Sequence, residues 1–242
     1  MAYRTDPRLG QLGTDAAGGR AGVDEGLRSY MLSVYNYMGL GLAITGLVAA
    51  IVASSPALYM PIFGTPLKWV VMLAPLGFVF FLGARIQRMS LSAAQMTFWA
   101  FAAVMGISLA SIFLVFTGES IARTFFIAAA TFGAMSLYRY TTSRDLSGFG
   151  SFLFMGLIGV ILASVVNLFV QSSALQFAVS VIGVLVFVGL TAYDTQRIKE
   201  MYYQVAGSDM AGRSAIMGAL SLYLNFINLF MLLLQLFGAQ RE

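Results

Sequence analysis

The 48 residues from Leu146 to Tyr193 contain no Asp, Glu, Lys or Arg. Three more neutral tracts run for 39 residues from Ser29 to Leu67, 30 from Met89 to Gly118 and 27 from Ser214 to Gln240. A helix crosses the hydrocarbon core of a bilayer in roughly 20 apolar residues, so each tract holds one span and the longest holds two. Within lipid a spanning segment must satisfy its own backbone polar groups, which makes helix the form for such runs. The chain is 59% hydrophobic and 10% charged, against about 25% charged in soluble domains. A water-soluble fold would lack the polar surface to cover itself. The expected fold class is therefore all-α, a polytopic membrane protein.

Seven transmembrane helices are expected, at about 31–54, 68–85, 92–116, 121–138, 150–170, 174–194 and 215–237. The second and fourth are short between flanking basic residues (Lys68 and Arg85, Arg123 and Arg139), and such side chains snorkel to the interface. Residues 1–27 are Gly/Ala-rich with balanced charge and read as a flexible cytoplasmic tail, leaving 28–242 as the transmembrane domain. No signal peptide is expected, because the first hydrophobic run starts near Tyr30, is span-length and lacks a small-residue cleavage signal. The segment "SSPALYMPIFGTP" (54–66) reads as an irregular, partly interfacial loop.

Counting Lys and Arg orients the chain. Of 14 such residues, all but Lys68, Arg123 and Arg241 fall in the N-tail and the loops on its side of the membrane. This predicts a cytoplasmic N-terminus and, after seven spans, a C-terminus outside. The same loops account for a pI near 9.5, so no nucleic-acid partner is implied.

His and Cys are absent. That removes disulfides, thiol and imidazole chemistry and most transition-metal sites, and no cofactor is expected. An intramembrane enzyme is poorly supported, since it would need a pair of carboxylates and the spans hold about one.

Polar groups inside lipid narrow the search for a site. In span seven, Ser221, Asn225, Asn228 and Gln235 are spaced to share one helical stripe. That stripe places the span against or inside the other helices, either bonding between them or lining a narrow watered path. Asp194, in "GLTAYDTQRIKEMYY", directly follows twenty uncharged residues, with Thr191 and Arg197 one turn to either side. It is either a helix-end charge paired with an arginine or a carboxylate at the cytoplasmic end of a cation path. Arg85 and Arg88, in "GARIQRMS", lie on the same side as ordinary positive-inside anchors or as a latch for Asp194. Glu119, in "FTGES", falls at the opposite end, as an outer mouth or a solvated loop charge. Small residues in "GLGLAITG", "GISLAS" and "GLIGVILAS" allow close helix packing.

Three segments in order, "MSLYRYTTSRDLSGFGSFLFMGLIG" (135–159), "TAYDTQRIK" (191–199) and "LYLNFINLF" (222–230), resemble the Bax-inhibitor-1 family, also called the transmembrane Bax inhibitor motif family. The opening "LRSYMLSVYNYMGLGLAITG" (27–46) fits its bacterial branch. The resemblance implies a seventh helix packed inside a bundle of the other six, a bacterial inner-membrane location, and a pH-sensitive leak of Ca²⁺ as permeant ion. It implies an aspartate pair sharing one proton, with an arginine from an earlier helix helping to close the path. The first aspartate maps onto Asp194, but the second maps onto Asn225. A neutral Asn225 cannot share a proton, so Asp194 titrates alone and pH control is expected to be altered. Calcium favours 6–8 oxygen ligands, so Asp194 with amides offers only a weak, transient metal site. The rival reading is a non-conducting regulatory protein that binds a membrane protease or quality-control machinery through its N-tail.

Overall fold

The structure is a computed structural model. It describes residues 7–142 and 146–241, with side chains from residue 25 onward except at 147. The expected tail therefore lies, apart from residues 25–27, outside the residues described in full, and Arg144 lies outside the description altogether.

Among the described residues eight α-helices follow in order: α1 Pro7–Ser54, α2 Pro56–Phe63, α3 Leu67–Arg85, α4 Leu91–Val115, α5 Gly118–Thr141, α6 Ser147–Val170, α7 Ser173–Val205 and α8 Met210–Phe237. Seven are long and apolar enough to cross a membrane. Their starts follow from local chemistry. Ser90, Thr117 and Ser172 each sit in extended backbone and accept an N–H from the first turn of α4, α5 and α7. Such caps are favoured because the first-turn donors otherwise lack partners. Residues 54–66 differ from expectation: Pro56 stands in the first turn of the short helix α2, where proline's fixed φ and missing N–H are tolerated. Helix α7 also continues eleven residues past Asp194, because the polar "TQRIKEMYYQV" contains no breaker. It ends before Gly207, whose φ of 75° lies in the left-handed region that glycine adopts without a Cβ penalty.

Helix α8 forms the axis of the bundle. In its most apolar stretch 72% of residues are buried, against 11–33% for the other spans. It packs against α1, α4, α5 and α7, while α3 lies on α4 and α6 on α7. Lipid tails are as apolar as leucine, so fit and hydrogen bonds hold spans together more than hydrophobicity does. Tyr223 shows both. Its ring lies 5.2 Å from that of Phe101 and 6.2 Å from that of Phe98, and its hydroxyl meets Thr45 Oγ1 at 2.6 Å. Thr45 spends its proton on the Ala102 carbonyl at 2.8 Å, so Tyr223 must be the donor to Thr45. One hydroxyl pair thus ties α1, α4 and α8. Gly106 lets α1 and α4 approach: a Cβ there would sit 2.6 Å from the Thr45 carbonyl oxygen.

The C-terminal residues fasten the end of the bundle opposite the α7–α8 turn. Thr117 N donates to Ala239 O at 3.0 Å and Arg241 N to Val115 O at 2.8 Å.

Candidate functional site

Helix α7 carries Asp194 about 32 Å along its axis from Ser173, and α8 carries Asn225 about 18 Å from Phe237, at 1.5 Å per residue. Where the two helices pack, Asn225 Nδ2 donates to Asp194 Oδ2 at 2.8 Å. Asn225 is buried and Asp194 half-buried. The amide presents a donor and a carboxyl oxygen of Asp194 accepts it.

No ion pair involving Asp194 forms among the described residues, where Arg123–Glu119 is the one salt bridge. Arg197 lies one turn along α7 and is exposed, as are Arg85 at the end of α3 and Arg88 in the 3-10 turn after it. None of the three stands within ion-pair distance of the acid. Thr191 is fully buried and bonds back to Phe187 O of its own helix at 2.8 Å.

The stripe on α8 divides. Asn225 points inward and Ser221 is half-buried, but Asn228 is exposed and donates to Leu224 O of its own helix at 2.8 Å. Gln235 is also exposed and accepts from Ser180 Oγ of α7 at 3.2 Å. A face shared by spacing is thus not one environment: three residues on, Asn228 is turned about 60° from Asn225. Glu119 lies far from Asp194 in chain position, in the first turn of α5. It bonds Arg123 at 2.6 Å with both side chains largely in the open.

Three features carried no signal in the spacing. Tyr35 of α1 and Ser136 of α5 are hydrogen-bonded, and Ser136 Oγ meets Thr195 Oγ1 of α7 at 3.2 Å. Thr195 donates to Thr191 O at 2.8 Å, which fixes the direction: Tyr35 gives to Ser136, Ser136 to Thr195 and Thr195 to a carbonyl. The chain ends there, beside Asp194 in sequence but not on it. Arg213, counted above as a loop charge, holds the carbonyls of Gln87 and Met89 at 2.8 and 3.1 Å. It pins the end of α3 to the start of α8. Lys199 donates to Tyr140 O at 2.7 Å and lies 4.9 Å from the Tyr140 ring centre.

A family model described as "Inhibitor of apoptosis-promoting Bax1" matches residues 27–242. The chain belongs to the Bax inhibitor-1 family. Curated relatives extend across the same region. An uncharacterized protein of Rickettsia prowazekii is 53% identical, over 90% of this chain and 93% of its own. The inner membrane protein YbhL of Escherichia coli is 49% identical over 89% and 94%, and an uncharacterized protein of Caulobacter vibrioides 47% over 91% and 92%. In this Bax inhibitor-1 family member the two positions singled out by resemblance, Asp194 and Asn225, are in direct contact.

Proposed function

We propose that this multi-pass membrane protein is a pH-sensitive, Ca²⁺-permeable leak of the bacterial inner membrane, with its N-terminus in the cytoplasm. The observation that carries the reading is the Asp194 carboxylate, half-buried between two spans, hydrogen-bonded by the neutral amide of Asn225 and without an ion pair among the described residues. An acid at membrane depth is expensive and marks an ion pathway by default. With Arg197 one turn away but outside ion-pair distance, the carboxylate is able to attract a passing cation. Asp194 marks the cytoplasmic end of the path, and Ser221 and Asn228, on the part of α8 the other helices leave open, line its course. Calcium is the substrate; one carboxylate and a few amides give it a weak site, which suits passage rather than storage. Protonation of Asp194 removes the attracting charge, so acidification lowers entry. The name of the Escherichia coli relative supports the inner-membrane location.

The test is Ca²⁺ entry into proteoliposomes holding a trapped indicator. The native protein should admit Ca²⁺ above the level of empty liposomes, and Asp194→Asn should abolish most of that entry while the variant stays folded. If neither leaks above empty liposomes, the chain does not conduct, and the protease-docking role becomes the account to pursue.

A further inference from the structure

Helix α1 packs on α4, α7 and α8, and α5 on α7 and α8, while two cavities lie end to end between α1 and α5. One, of about 470 Å³, runs between Arg28–Met38 of α1 and Phe132–Tyr140 of α5. The other, of about 320 Å³, is a separate cavity further along, between Leu42–Ala49 of α1, Leu109–Phe113 of α4 and Gly118–Phe126 of α5, floored by Phe226 and Phe230 of α8. The walls are almost wholly apolar. From Arg28 to Met38 the first cavity extends about 15 Å along α1, close to the depth of one leaflet, half of the roughly 30 Å hydrocarbon core. A glycine opens it: a Cβ at Gly133 would meet nothing within 4 Å.

One end of the first cavity is cationic. Arg28 lines its mouth and is exposed. Tyr140, which also lines it, is capped by Lys199. Beside Tyr140, Arg139 is 5% exposed; it donates to Thr142 O at 2.9 Å, and its Nε is buried without a hydrogen-bond partner. No carboxylate forms an ion pair with any of these three cations among the described residues. Basic groups at the edge of a membrane domain attract anionic lipid headgroups.

We propose that the first cavity, between Arg28–Met38 and Phe132–Tyr140, is a binding site for one anionic phospholipid, its phosphate at Arg28 and an acyl chain along the cavity. The match of the first cavity's apolar depth to one leaflet selects a lipid over a soluble anion, and the charge at the rim selects an acidic headgroup over a zwitterionic one.

The experiment is native mass spectrometry of the full chain in detergent, offered phosphatidylglycerol and phosphatidylcholine with identical acyl chains. The native protein should retain one phosphatidylglycerol about five-fold better than phosphatidylcholine, the order expected for one basic residue against an anionic surface. Arg28→Gln, an exposed change, should bring the two lipids level. Gly133→Leu fills the cavity and should lower retention of both lipids, judged on protein with native helical content. Equal retention of the two lipids by the native protein overturns the proposal, as does undiminished retention in folded Gly133→Leu. If Gly133→Leu does not fold, Arg28→Gln decides: unchanged preference there also overturns it.

Discussion

Asn225 of α8 donates a 2.8 Å hydrogen bond to Asp194 of α7, joining two spans through one ionisable and one permanently neutral side chain. The contact sits where the family resemblance implies an acid pair, and the permanently neutral Asn225 has no acidic proton to share.

Restoring a second acid should restore proton sharing. In Asn225→Asp the new carboxyl would lie in hydrogen-bond contact with Asp194, and like charges that close cannot both ionise freely. Ca²⁺ entry measured against pH should respond more steeply in this variant than in the native protein. Curves of the same shape for both would show that Asn225 does not set the pH response.

Removing the donor should cost stability in a pH-dependent way. Asn225→Leu keeps similar volume but leaves a half-buried carboxylate without its hydrogen bond, a loss of about 1–3 kcal/mol. The loss applies to the charged form of Asp194, so the fall in Tm in detergent should be larger at alkaline than at acidic pH. A fall independent of pH would assign it to packing alone.

The hydroxyl pair on the other side of α8 separates hydrogen bonding from fit. Tyr223→Phe loses only the bond to Thr45, worth about 0.6–2 kcal/mol in a membrane bundle. Tyr223→Ala also empties a site packed by Phe98 and Phe101, for which large-to-small core changes cost about 3–5 kcal/mol. Thermal unfolding of the two variants should show that order, and comparable losses would contradict the packing described.

Glu119 should be dispensable. It pairs with Arg123 in the open, and exposed helix pairs contribute about 0.3–0.5 kcal/mol. Glu119→Gln should leave both Tm and Ca²⁺ entry near native values. A marked fall in Ca²⁺ entry would return this residue to the role of an outer mouth.

The spans were legible because long neutral tracts admit no other form in lipid, and the central place of α8 was legible from amides that lipid would not tolerate. What the stripe could not disclose is direction. Ser221, Asn225, Asn228 and Gln235 share a face by spacing, yet only Asn225 turns to the half-buried acid of α7, because the position of α7 decides which part of that face is covered. Residues 56–63 read as loop in the sequence because proline signals a break, whereas at the first turn of α2 it starts a helix. The Tyr35–Ser136–Thr195 chain brings together residues from α1, α5 and α7, and no local pattern encodes a contact of that kind.

The most direct measurement is Ca²⁺ entry into proteoliposomes as the bath is taken from acidic to alkaline pH, comparing the native protein with Asp194→Asn. The account predicts native entry that rises with pH and a variant whose entry is low and flat. A variant that conducts as well as the native protein, with the same rise, would show that the Asp194 charge does not govern the path.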